Sequence, residues 1–297
     1  MSGMPLLRTI WREGSARVGL VLLLMLLLIA LAAPWLGTID PATMDANYIS
    51  VAAGTTGRVQ LPDGREVMHT FLMGSDTWGR DIWSRTVYGT RVSLLVGAGV
   101  AVLALVLGGV LGMVAGYVRR LDGLLMRLMD GLMAIPPVLF AIALVAALGA
   151  SLSTVVVAIA VPEIPRVARL TRALTLRLRG EPYVEAAQVL GTPAHLILSR
   201  HILPNAWATL LVQGTFVAAS AVMTEAILGF LGLGLPADIP TWGSIMADGR
   251  VVFMQHPGNV LFPALFLVPA VLGINLLGDG LRDALDPQAG VRSLERS

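Results

Sequence analysis

Long uncharged stretches constrain this chain more than any other feature. A helix of about 20 residues spans a hydrocarbon core of about 30 Å, and five runs of roughly that size carry no charged side chain: 18–36, 92–118, 131–150, 206–224 and 260–277. Charged residues make up 13% of the 297 and hydrophobic ones 56%, whereas soluble domains average roughly 25% charged. The expected fold class is therefore an all-α polytopic membrane protein. A sixth run, 152–170, contains Glu163, Arg166 and Arg169. It is accepted as a span because the topology fails without it.

The arginines test that topology, since cytoplasmic loops carry the excess of basic residues. Six crossings with both termini inside place 15 of the 21 basic residues inside, among them Arg8, Arg12, Arg17, Arg119, Arg120 and the 166–200 group, and 6 outside. Omitting 152–170 would put the 166–200 arginines and the Arg119-Arg120 pair on opposite faces. The arginines thus read as topology signals, and a net charge of +2 gives no reason to expect nucleic acid. The expected organisation is a cytoplasmic N-terminus 1–17, a first transmembrane helix 18–36 and an extracytoplasmic segment 37–89. A five-helix core 90–297 follows, with a cytoplasmic loop 166–204 and an outer loop 229–258. The first apolar run exceeds the 7–15 residues of a signal-peptide core, so it is read as a retained anchor.

Two missing residue types remove whole chemistries. The chain has no cysteine, hence no thiolate nucleophile, thiolate metal site or disulfide. It has no lysine either, and a P-loop needs its Lys on the β/γ-phosphates; a Schiff-base enzyme is excluded on the same ground. No cofactor is expected in this chain. His69, His195, His201 and His256 lack metal-ligand spacing and read as structural.

The segment 37–89 is too short for a large core of its own. Within it, 58–67 reads as two short strands around Pro62-Asp63-Gly64, because Pro presets φ and Gly accepts positive φ. The glycines and alternating charges of 74–81 read as a hydrogen-bonded turn capping the second span. On the other face, Arg166, Arg169 and Arg172 are three apart and share one helix face. Pro182 at a first helical position and Gly191 at a stop bound a helix of about nine residues, and Thr192 is a candidate N-cap for the next.

That short helix carries the most specific motif. Glu185-Ala186-Ala187, Gly191 and Leu203-Pro204 resemble the EAA loop of bacterial ABC importer permeases. The resemblance extends over nearly the whole chain, through 74–80 with Tyr88-Gly89, 130–136, 201–205, 228–234 with Trp242-Gly243, and 275–283. It is closest to the second permease subunit of the dipeptide/oligopeptide/nickel branch, while the 54–70 segment looks like a variable insertion.

The resemblance implies a type I ABC importer permease fold in the bacterial inner membrane. It also implies as partners a homologous second permease, two cytoplasmic ATPase subunits carrying ATP and Mg, and an extracytoplasmic substrate-binding protein. Glu185, Ala186, Ala187 and Gly191 would couple to the ATPase. Two alanines permit close backbone approach, and the carboxylate offers a charge-assisted contact to a basic group on the partner or within the loop. Gly232, Gly234, Trp242 and Gly243 would lie in an outer loop that either contacts the binding protein or caps the pore mouth. Asp130, Glu163 and Glu225 sit near span ends, where they either line the substrate path or stabilise helix ends. The rival class, a self-sufficient secondary transporter or channel, would be expected to show mid-span coupling residues or inverted repeats. Neither is evident here, and no motif supports a membrane-bound enzyme.

Overall fold

The computed structural model describes residues 13–285; Arg8, Arg12, Arg292, Arg296 and the expected cytoplasmic placement of the termini lie outside them. The elements in order are α1 (Gly14–Ala32), β1 (Thr55–Gln60), β2 (Glu66–Phe71), α2 (Ile82–Tyr117), α3 (Arg119–Met133), α4 (Pro137–Leu148) and α5 (Leu152–Arg179). These are followed by α6 (Pro182–Val189), α7 (Ala194–Ile197), α8 (Leu203–Phe230), α9 (Trp242–Gly249) and α10 (Gly258–Leu285). β1 and β2 form a two-stranded antiparallel hairpin in register from Thr55 with Phe71 to Gln60 with Glu66. The chain is therefore not wholly helical. The turn falls at Pro62-Asp63-Gly64, with Gly64 at φ +83°.

By length and composition, the helices around α1, α2, α8 and α10 can each cross a membrane. A fifth crossing is counted if α3 and α4, bent by 85° at their junction, act as one span. The expected uninterrupted span 131–150 is broken because Pro136 disfavours helix at Ile135, and Pro137 then starts α4 at its first position. At 12 residues, α4 is about 18 Å long. α5 has the length, but Glu163 and the arginines after it remove it from a count based on apolarity.

α2 and α5 form the centre of the molecule. Gly108, Gly112 and Gly116 recur every four residues on α2 and face Val167, Thr171 and Thr175 of α5, also every four. A methyl group on Gly112 would sit 2.6 Å from Thr171 Cβ, and one on Gly116 2.7 Å from Thr175 Cβ. Small residues at this spacing let helix backbones approach closely where lipid gives no hydrophobic drive for association. The hydroxyls of Thr171 and Thr175 donate to the carbonyls of Val167 and Thr171, at 2.9 and 2.8 Å, so they are satisfied inside the contact. α8 packs on the same α2–α5 core, and α1 lies against α10.

Arginines close several helix ends. Arg91 Nε donates to Ala30 O at 2.6 Å, Arg179 Nη1 to Tyr117 O at 3.0 Å and Arg250 Nη1 to Phe230 O at 2.9 Å. Each supplies a cation to terminal carbonyls that lack an intrahelical partner. α3 is held to α5 by Arg172 with Asp122 and Arg169 with Asp130, both at 2.5 Å.

The glycine stripe yields a paired prediction. Gly112→Ala should destabilise the purified protein by about 1–3 kcal/mol through overpacking, read as a lowered midpoint in thermal unfolding in detergent. Gly109→Ala should not, because nothing lies within 4 Å of the Cβ it would add. Equal behaviour of the two variants would dissociate the stripe from the α2–α5 contact.

Candidate functional site

At the end of the bundle opposite the hairpin, α6 begins with Pro182 after an extended Glu181. It ends at Gly191, which adopts φ +76°. Gly191 N donates to Gln188 O and Thr192 N to Ala187 O, both at 3.0 Å, the pair of bonds that closes a helix through a left-handed glycine. The second helix of this segment is capped at Pro193 rather than Thr192. α7 then runs through a π turn, Leu198–Ile202, directly into α8. The Tyr183 and His201 rings, 6.4 Å apart, connect α6 to that turn. Partial desolvation, and then the Glu181 carboxylate, raise the Tyr183 hydroxyl above its ordinary phenol range against an opposing Arg177.

The two faces of α6 differ. Val184 and Ala187 are buried in the chain's main apolar core together with Ile197 and Ile202. Glu185, Ala186 and Gln188 are exposed, and Val189 and Leu190 are 88% and 84% exposed. The two alanines of the motif thus point in different directions: Ala187 seats the helix and Ala186 is presented. The ion pairs near this end join Arg166, Arg169 and Arg172 to Glu163, Asp130 and Asp122, and none of the described residues pairs with Glu185. Val189 and Leu190, large apolar groups left in the open, were missed by sequence reasoning, which had only their position beside Gly191 to go on.

At the hairpin end, Thr241 and Ser244 form a reciprocal cap that starts α9. Trp242, expected in an outward contact, is instead 0% exposed. It packs among Leu26, Val222, Phe266 and Ala270, and its Nε1 donates to Thr86 O at 3.2 Å. The physical reason is packing: the cap starts α9 at Trp242, and that helix lies against α10, α8 and α2, which enclose the ring. Gly243 is similarly internal, because a Cβ there would come 2.7 Å from Ala226 Cα. Gly234 is buried against Gly229, while Gly232 is exposed at φ +77°. The exposed large apolar side chains of this loop are Phe230, Leu231, Leu233, Val251, Phe253 and, at 93%, Met254.

The three carboxylates singled out in the sequence do not converge. Asp130 is exposed and paired with Arg169. Glu163 is buried, accepting from Arg166 Nη1 at 3.0 Å and from Ser220 Oγ of α8 at 3.1 Å. Glu225 is fully buried; its Oε2 accepts from Ser93 Oγ at 3.0 Å, and its Oε1 has no partner.

A further cluster joins the hairpin end together. Asp76 accepts from the backbone N–H groups of Trp78 and Arg80, at 2.8 and 2.9 Å, and from Arg80 Nε at 2.6 Å. Arg80 Nη2 reaches Asp248 of α9 at 2.7 Å. Asp81 caps α2 by accepting from Ser84 N at 2.9 Å, with His69 Nε2 3.3 Å from the same carboxylate oxygen. The sequence signalled the turn, but not Asp248, which lies 168 residues from Arg80.

Comparison with known proteins agrees with this architecture. Residues 77–291 match the model of the binding-protein-dependent transport system inner membrane component family, and the chain belongs to that family. It is a permease component of a binding-protein-dependent ABC importer. A Brucella suis chain with the provisional name of peptide transport system permease protein is 47% identical over 96% of this chain and 91% of its own length. The dipeptide transport system permease DppC of Alkalihalophilus pseudofirmus is 41% identical over 94% and 90%. The oligopeptide transport system permease OppC of Bacillus subtilis is 36% identical over 94% and 90%. Among solved structures, a chain of the inward-facing MetNI methionine ABC transporter superposes with a TM-score of 0.56 at 20% identity, covering 67% of this chain and 96% of that one. This likeness establishes the fold, that of a type I importer permease.

Trp242 supplies a stability prediction. Trp242→Ala should cost about 3–5 kcal/mol by leaving a core cavity, whereas Met254→Ala should leave the unfolding midpoint unchanged. A parental midpoint for the Trp242 variant would contradict its placement in the core.

Proposed function

We propose that this chain forms one half of the translocation pore of an ATP-driven peptide importer and couples to a separate ATPase through α6. The observation that carries the reading is the division of α6 into a buried face, Val184 and Ala187, and a presented face, Glu185, Ala186, Val189 and Leu190. A helix seated this way passes a push on its outer face into α5 and α8 without bending on its own. The names of the relatives favour a peptide cargo. The dipeptide and oligopeptide systems above are joined by the glutathione permease GsiD of Pectobacterium atrosepticum, 38% identical over 95% of this chain.

In this reading the chain crosses the membrane six times, with α3–α4 and α5 supplying the third and fourth crossings. Both termini and α6 lie in the cytoplasm, and the hairpin and α9 face outward. The partners are a homologous permease, two ATPase subunits that hold ATP and Mg, and a binding protein docking at the outward end, where Met254 and Val251 offer apolar contact. ATP-driven closure of the ATPases would carry α6 inward and switch the bundle between two discrete states. The chain itself performs no chemistry.

Two measurements test this. Glu185→Lys should lower ATP-driven uptake at least about tenfold, equivalent to roughly 1.4 kcal/mol of a charge contact, with normal expression because Glu185 is exposed and has no ion-pair partner among the described residues. Uptake at the parental rate would remove the coupling role. In the naturally cysteine-free chain, Ala237→Cys should react with an impermeant thiol reagent from outside and Val189→Cys only after permeabilisation. The reverse pattern would overturn the topology.

A further inference from the structure

A cavity of about 460 Å³ opens at the hairpin end between the C-terminal end of α4 and the 229–248 segment. Its wall includes Val145, Ala146, Leu233 and Leu235, and two charged groups, Arg85 and Asp248. Ligand sites are commonly of this size, largely apolar with a few polar groups that fix orientation.

The charges in the wall are unevenly satisfied. Arg80 holds Asp76 at 2.6 Å and Asp248 at 2.7 Å. Arg85, whose side chain is 1% exposed, reaches the same two carboxylates only at 3.8 and 3.5 Å, and its Nε and Nη1 make no hydrogen bond. A buried guanidinium without close partners is costly. Its planar fork matches a carboxylate, which can take two parallel N–H bonds. An incoming carboxylate could displace Asp248 from Arg85 without orphaning it, since Arg80 keeps the shorter contact.

We propose that this cavity is a carboxylate-accepting subsite in which Arg85 receives the C-terminal carboxylate of the transported peptide at the outer mouth. The inference rests on the peptide-importer reading and goes beyond it by assigning a place and a chemical group. The apolar wall at Val145, Ala146 and Leu233 would face the adjoining side chain with little selectivity.

The test uses the complete complex with its partner permease and ATPases, purified in detergent without binding protein, and L-alanyl-L-alanine or its C-terminal amide at millimolar concentration. The unfolding midpoint should rise with the free carboxylate and not with the amide, since a ligand bound only to the folded state stabilises it. Arg85→Gln should abolish the shift. So should Ala146→Phe, which fills the cavity without touching the ion pairs and decides the matter if the Arg85 variant fails to assemble. Ala147→Phe, outside the cavity wall, should retain it.

No shift, an equal shift with the amide, or a full shift in Ala146→Phe overturns the proposal. It is also overturned if Arg85→Gln weakens docking of ligand-free binding protein while leaving the peptide shift intact, because the carboxylate would then belong to that protein. Uptake in proteoliposomes separates the two readings. A complex that imports peptide but shows no carboxylate-dependent shift loses the subsite alone; one that imports nothing loses the importer reading.

Discussion

The close approach of α2 to α5 is the contact on which the rest of the structure depends. Three glycines on one helix and two back-bonded threonines on the other let the backbones meet with no polar group left open. In lipid such packing takes the place of the hydrophobic effect. α5 can therefore carry Pro162, Pro165 and a row of arginines and still serve as the central helix, because its neighbours satisfy what its own composition leaves exposed. α3 is tied to that arginine row through Asp122 and Asp130, and α6 continues from its end.

The same logic operates at the hairpin end with charge in place of close packing. Asp76, Arg80 and Asp248 connect the turn before α2 to α9 through ion pairs centred on the buried Arg80. Removing one member of such a network leaves an uncompensated charge, at a cost of about 3–5 kcal/mol. The loop between α8 and α10 is held to the turn and to α2 by the Arg80–Asp248 pair, by Arg80 Nη1 donating to Ala237 O at 3.4 Å and by the Trp242 hydrogen bond to Thr86, while the start of α10 is held by Asn259 Nδ2 donating to Ser75 O at 3.3 Å. The two ends of the molecule thus differ in character, one a locked cap over a cavity and the other a seated helix with an open face.

Much of this was legible in the residues. The helices α1, α2, α8 and α10 follow directly from uncharged length, the hairpin turn from Pro62-Asp63-Gly64, and the end of α6 from Gly191. What composition hid was the break at Pro136-Pro137, since an apolar run reads the same whether or not it bends. The inward placement of Trp242 is hidden because a large aromatic among prolines and glycines resembles an exposed anchor, and its surroundings, Leu26, Phe266 and Thr86 O, lie far away in the sequence. Long-range pairs such as Arg80 with Asp248 leave no local trace, so the cavity they border was invisible in the sequence. The arginine distribution carries a topology signal but not the roles of Arg91, Arg179 and Arg250, which close helix ends.

Seated on Val184 and Ala187, α6 should move as one body with the α2–α5 core rather than as a hinged flap. This is tested most directly by the distance between spin labels at Val189→Cys and Leu176→Cys, both exposed positions in a chain without native cysteine. The measurement would be made in the assembled transporter without nucleotide and with ATP trapped. The expected result is a single distribution that does not move between the two states. A shift or a second peak on ATP binding would show α6 pivoting on its own, and would contradict it.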